Sequence, residues 1–245
     1  MQPITNLLIN SLRKAAKFLH RDFLELEMLQ KNPIRNEEFC RKSYLRLRAL
    51  LNDELQKYAE HLFFPEDQFD LDNKDNVILI NPLDSLNNFA RGIPFFSVAA
   101  TYLKKDKDGL IATNTVIYMP ALNEIYYAEK GKGAFADRGN LNSNYQSVRL
   151  RVSDNSELQN CLAIIENSND PIYEDINYIR SFGSACYAAT LLASGKADFV
   201  CLPSLNFTLS HSFELLVKEA GGIIINSDDK FIYSNRYIAK QLKKC

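Results

Sequence analysis

The chain has 245 residues, 46% hydrophobic and 24% charged, enough to bury a substantial core as one large α/β domain or two intimately packed halves. A formal charge of −1 and a pI near 6.3 exclude a general electrostatic attraction to nucleic acid or acidic membranes. Five cysteines without C-x-x-C spacing argue against a disulfide framework and a zinc site.

The N-terminal stretch LLINSLRKAAKFLHRDFLELEML has charges interrupting every apolar run. It offers neither a signal-peptide core nor a membrane span, so a cytoplasmic protein with no membrane partner is expected. Leu8, Leu12, Ala15, Ala16, Leu19, Phe23 and Leu26 recur at helical spacing and predict an amphipathic first helix. A second helix is predicted from about Glu37 to Phe63, stopping before Pro65, which would lose a donor and clash with the preceding turn. Its basic residues are balanced by Glu37, Glu38, Asp53 and Glu54 and read as a solvated face.

From Val77 the character changes. VILI, PFFSVAATYL, LIATNTVIYM and EIYYAEK are β-branched or aromatic runs between turn residues, and they predict strands. GIPFFSVAATYL reads as a buried strand, with a subunit interface as the alternative. The polar stretch GNLNSNYQS, about 139 to 147, reads as a surface loop dividing a single domain, 1–245, into halves of about 1–145 and 146–245. After it LAIIE, DFVCL and GGIIIN read as strands, and SACYAATLLASGKA and HSFELLVKEA as helices, predicting an α/β second half.

The segment NPLDSLNNFARGIPFF, 81 to 96, follows VILI and places an acid where a strand gives way to a helix. Carboxylates there suit Mg²⁺, and the helix N-terminus suits phosphate oxygens. Asp84 and Ser85 are equally the residue types of ordinary helix caps. His20, His61 and His211 lack metal-like spacing and read as packing or surface residues; Cys40, Cys161, Cys186, Cys201 and Cys245 read as reduced structural thiols.

NPLDSLNNFARGIPFFSVA resembles the D-P-[IL]-D-G-T-x-N-F-x-x-G-x-P-F signature of the inositol monophosphatase family, which includes the bacterial SuhB-like proteins. IYMPALNEIYYAEKGKGAF, RSFGSACYAATLLASGKADF and FELLVKEAGGIII are similar to later family segments and occur in the family's order. The resemblance implies a layered α/β/α/β/α sandwich, commonly a homodimer. In working relatives it implies Mg²⁺-dependent hydrolysis of a small phosphate monoester, where metals bind the phosphate and turn a water into the nucleophile.

By that resemblance Glu66 stands at the first metal-binding acid, and Asn81 replaces the bridging aspartate, keeping an acceptor oxygen but no charge. Leu83 would offer its backbone carbonyl, and Asp84 keeps the second carboxylate. Ser85 and Leu86 occupy the Gly-Thr positions at the phosphate, so the hydroxyl that orients the attacking water is absent unless Ser85 supplies it. Thr208 and Leu209 fall on the closing Trp-Asp pair, making the third metal-binding acid a leucine. Leu202 takes the place of an acid that contacts substrate hydroxyls. Arg35 to Glu38 align with a T-x-x-D segment in which only Glu38 keeps the chemistry. Gly183 and Ser184 match the R-S-x-G-S-A turn and offer either phosphate-binding donors or a serine-capped turn.

Of four acids in a working site, Glu66 and Asp84 alone remain, enough for at most one weakly held Mg²⁺. The expected protein has a degraded phosphomonoesterase site and a binding or regulatory, SuhB-like role, with a small phosphorylated ligand and a protein or RNA partner. The alternative is an active Mg²⁺-dependent phosphatase of inositol monophosphate or another small phosphate monoester, working with a reduced ligand set. Asn81, Leu86 and Leu209 discriminate the two.

Overall fold

The N-terminal apolar stripe is laid against a sheet. In a computed structural model, which describes residues 1–29, 33–72, 74–107, 109–138, 146–166, 176–227 and 230–242, it forms α1 (Pro3–Ala15), one 3-10 turn (Ala16–Phe18) and α2 (Leu19–Leu29). The stripe from Leu8 to Leu26 is buried, although the tighter turn interrupts the single helix expected. Asp22 on α2 accepts from the Ser43 hydroxyl at 2.8 Å and so ties α2 to α3 (Pro33–Leu55).

The helix expected to reach Phe63 ends at Leu55. His61–Phe63 is instead a strand, β1, parallel to β2 (Asn76–Asp84), with His61 opposite Val77 and Phe63 opposite Leu79. Two-sided burial explains the difference. Phe63 packs with Val77 and Leu79, while Leu62 packs with the helical layer on the other face, and a two-residue alternation of this kind is a strand property.

After β2 comes the short helix α4 (Leu86–Ala90), then β3 (Ser97–Asp106), β4 (Gly109–Met119), β5 (Glu124–Glu129), β6 (Gly133–Arg138) and β7 (Gln146–Arg149). From β2 onward the strands pair antiparallel in chain order, completing a seven-stranded sheet. GIPFFSVAATYL enters the sheet as β3, with Val98, Ala99 and Ala100 fully buried. Of the stretch expected to loop, 139–145 lies outside the described residues, and Gln146 and Ser147 belong to β7, so the first sheet runs past the expected divide.

The second sheet takes β8 (Leu162–Ile165), β9 (Tyr178–Arg180), β10 (Phe199–Leu202), β11 (Ile223–Ser227) and β12 (Lys230–Ser234) in the order β11-β12-β10-β8-β9. Helices α5 (Ala185–Ala193) and α6 (Phe207–Glu219) lie between the sheets, and α7 (Arg236–Leu242) packs on the outer face. Strand alternation sorts the layers. Ile78, Ile80 and Val98 face α1–α3; Ala99, Ile117 and Val200 face α5 and α6; Phe199 and Cys201 face α7. The architecture is therefore α/β/α/β/α. Among the described residues no helix is long and apolar enough to cross a membrane.

Two carboxylates pin the ends of helices or turns. Buried Glu129 on β5 accepts from Gln2 N–H at 2.5 Å and from the Thr5 hydroxyl at 2.8 Å, capping α1 from outside its own chain segment. Glu219 at the end of α6 accepts from Gly131 N–H at 2.7 Å and Gly133 N–H at 2.8 Å, holding the β5–β6 turn.

At Gly222, where α6 hands over to β11, a Cβ would lie 2.5 Å from Val217 Cγ1 and 3.2 Å from Val152 Cγ1. Gly222→Ala is expected to lower stability by about 1–3 kcal/mol through overpacking. Urea denaturation should show a lower midpoint at an unchanged m-value, and an unchanged midpoint would contradict this packing.

Candidate functional site

The end of β2 is where the expected site residues meet. The β2–β3 register breaks between Asn81 and Asp84, a bulge that holds Pro82 and Leu83, and Ser85 then enters the left-handed region at φ 64° before α4 begins. That backbone aims Asp84 into the molecule. It is 7% exposed, and its Oδ2 accepts from the Ser184 hydroxyl at 2.6 Å and from Cys186 N–H at 3.0 Å, both at the start of α5. Burial pushes the Asp84 carboxyl above its ordinary pKa, outweighing these donors, which act to lower it.

The cap expected of Asp84 and Ser85 is thus distributed differently. Asp84 serves α5, a helix a hundred residues later in the chain. At the start of α4, Ser85 makes no side-chain cap bond, and its buried Oγ has no partner. The buried Oδ1 of Asn81 is likewise without a partner. Leu83 packs into the core beneath α1–α3.

Glu66 is engaged elsewhere. Its carboxylate accepts from the Tyr44 hydroxyl and stands 4.0 Å from Arg48 Nε, with the side chain 53% exposed. Burial first, and Glu66 second, push the Tyr44 phenol well above its ordinary pKa, keeping it a donor. Leu209 is buried as the third residue of α6, its N–H donating to the capping Asn206 Oδ1 at 2.8 Å, and the Thr208 hydroxyl donates to the same oxygen. Leu202 closes β10 within the same inter-sheet core. Glu38 is exposed and pairs with Lys42 at 2.7 Å, which lowers its pKa; Arg35 lies in the first turn of α3.

The turn of Gly183 and Ser184 already holds carboxylates. Glu166 Oε1 accepts from Phe182 N–H at 2.7 Å and Gly183 N–H at 2.8 Å, and Ser184 donates to Asp84 while capping Tyr187 N–H. Of the histidines, His20 and His61 are exposed, and His211 Nδ1 lies 2.9 Å from the Phe207 carbonyl. Cys40, Cys161, Cys186 and Cys201 are free and buried; burial pushes Cys40 up to about 11 and Cys161 up to about 12. Cys245 lies outside the described residues.

These donors do not fit a pair of divalent ions. Asp84 is turned to the α5 N-terminus and Glu66 to Tyr44. Among the described residues no three Asp, Glu, His or Cys side chains gather as a cation would need. What adjoins α4 instead is a cavity of about 580 Å³ between α3 and α4, lined by Arg41, Arg91, Tyr44, Leu86, Asn87 and Glu37. Among the described residues neither arginine is held in an ion pair. Sequence reasoning passes over both: Arg41 reads as part of a solvated helix face, and Arg91 falls on a variable position of the signature.

Residues 1–244 match the inositol monophosphatase family. A curated fructose-1,6-bisphosphatase/inositol-1-monophosphatase of Thermotoga maritima is 29% identical over 80% of this chain and 77% of its own length. The Nus factor SuhB of Haemophilus influenzae is 26% identical over 98% of this chain and 91% of its own. The crystal structure of the extragenic suppressor protein SuhB from Bartonella henselae superposes with a TM-score of 0.79 at 22% identity, covering 100% of this chain and 98% of that one.

Because burial raises the Asp84 pKa above the unfolded value of about 3.9, the native state binds its proton more tightly than the unfolded state. Stability attributable to this group is therefore fully present below the unfolded pKa and falls as pH rises through the folded one. In EDTA, the melting temperature of the wild type relative to Asp84→Asn is expected to increase when pH is lowered from 7 to 4. A drift in the opposite direction would mean that a positive charge stabilises the carboxylate.

Proposed function

The chain belongs to the inositol monophosphatase family, and on that premise we propose that it binds a small phosphorylated ligand without efficient hydrolysis and acts as a binding or regulatory protein. The observation that carries this reading is the commitment of Asp84 Oδ2 to Ser184 and Cys186 at the start of α5. In this reading the second metal carboxylate has become a structural cap. With Leu209 buried as a core residue, the metal pair that would charge-neutralise a phosphate and activate water has no ligand cage.

Phosphate charge is instead met by Arg41 and Arg91 in the cavity beside Leu86, where guanidinium groups suit a phosphate without a metal. Backbone donors at Gly183 are a weaker place for it, since Glu166 already accepts from them. The likeness to relatives named Nus factor SuhB supports a protein or RNA partner, and a homodimer is part of the same reading.

One observation favours the second reading, a phosphatase working with a reduced ligand set. Asn81 Oδ1 and Ser85 Oγ are buried oxygens without partners on either side of Asp84 in the chain, and such oxygens suit one weakly held hard cation such as Mg²⁺.

Purified protein with Mg²⁺ is expected to show negligible hydrolysis of inositol monophosphate and of generic phosphomonoesters. Turnover within about a hundredfold of a typical kcat near 10 s⁻¹ would establish the second reading. Restoring Asn81→Asp, Leu86→Thr and Leu209→Asp together is expected to raise Mg²⁺ affinity. Calorimetry giving the same affinity before and after would refute the assignment of these positions to a lost metal cage.

A further inference from the structure

A second cavity, also of about 580 Å³, shares no lining residue with the first. Arg149 at the end of β7, Arg151 in the loop that follows and Arg236 at the start of α7 line it. Among the described residues none of the three is held in an ion pair. The lining carboxylates are Asp154 and Glu219, and both oxygens of Glu219 already accept backbone N–H groups, at 2.7 Å and 2.8 Å. Cationic charge is therefore in local excess on a chain whose formal net charge is −1.

The ordinary structural task for arginines here would be to satisfy the carbonyls at the end of α6, whose C-terminal residues also line the cavity. Most of that task is already done. Leu216 O accepts from Ala220 N–H, Val217 O from Gly222 N–H, Lys218 O from Gly221 N–H and Ala220 O from Val152 N–H, at 2.9 to 3.1 Å.

The arginines are also mounted on a fixed frame. Fully buried Asn235 donates from Nδ2 to Ser153 Oγ and to Asn155 O, both at 2.9 Å. Its Oδ1 accepts from Tyr237 N–H at 2.8 Å and Ile238 N–H at 2.9 Å. One side chain thus locks the start of α7 to the loop after Arg151, and the Ser153 hydroxyl is anchored in turn on Asp198. Arg236 Nη2 donates to the Tyr237 hydroxyl at 2.7 Å, and the Arg149 side chain lies across Gly133, where a Cβ would be 3.0 Å from its Nη2.

We propose that this cavity is a metal-independent site for a small molecule carrying a run of phosphates. Planar guanidinium forks without a carboxylate partner among the described residues match phosphate oxygens, and the Asn235 hydrogen bonds fix the main chain that carries Arg151 and Arg236. The volume lies in the range of small-molecule pockets.

The test is calorimetry of the full chain with inorganic tripolyphosphate in EDTA. Binding is expected, together with a rise in melting temperature on ligand addition. Arg151→Gln/Arg236→Gln should weaken binding at least about tenfold and remove the thermal shift, while Arg151→Lys/Arg236→Lys, retaining charge but not the fork, should fall between. On an Arg41→Gln/Arg91→Gln background, which removes the phosphate site proposed for the first cavity, tripolyphosphate should still bind, and adding Arg151→Gln/Arg236→Gln should abolish that remaining binding. In a parallel arm ATP distinguishes a free polyphosphate ligand, bound equally well, from a nucleotide, bound more tightly; both support the site.

No detectable binding, or binding unchanged in both Arg151/Arg236 double variants, would overturn the proposal. So would loss of binding in the Arg41/Arg91 variant alone, which would place the anion in the first cavity and leave the proposed function standing. Affinity for a single-stranded RNA oligomer with none for tripolyphosphate would overturn it as well.

Discussion

A carboxylate removed from water must be satisfied by donors or neutralised, and Asp84 obeys that constraint through the N-terminus of α5. The contact joins the last residue of β2 to a helix a hundred positions later, so it ties the first sheet to the inter-sheet layer at the bulge where the candidate site begins. Breaking one side of such a pairing leaves the other buried and unpaired, which makes the arrangement hard to abandon piecemeal. A ligand acid in a metal cage needs its oxygens turned toward the ion. Here the fold uses one of them to hold its own layers together.

The same device appears on the opposite face, where Glu129 reaches from β5 to Gln2 and Thr5 at the start of α1. Two buried strand acids, each satisfying a helix N-terminus, show that Asp84 behaves as part of a structural pattern in this protein. Around it the other acids are engaged separately: Glu66 with Tyr44 and Arg48, Glu38 with Lys42, Glu166 with the Phe182–Gly183 turn. Among the described residues Arg41 and Arg91 in one cavity, and Arg149, Arg151 and Arg236 in another, are in no ion pair, and the ligands proposed for the two concavities rest on that.

Much of this was legible in the residues. The runs around Ile80, Ala99, Ile117 and Tyr126 are apolar at consecutive positions because both faces of the first sheet are covered, and continuous runs are what such strands require. Asn81, Leu86 and Leu209 read, by the family resemblance, as losses of charge or hydroxyl without any coordinates. What could not be read was direction. The β1 strand hid in an apolar stretch too short for period to decide, and its identity rests on Val77 and Leu79, which lie beyond the intervening loop. Nothing local in NPLDS says that its acid bonds to Ser184, because that partner is supplied by tertiary packing.

The hold of Glu219 on the β5–β6 turn has a consequence for how this corner can change over time. The carboxylate recognises two main-chain amides and no side chain, so the identities of Lys130 and Lys132 are immaterial to the clasp. The residues at 130 and 132 are thereby free to drift toward new contacts, while positions 131 and 133, at φ 74° and 103°, favour glycine as well as requiring an amide hydrogen.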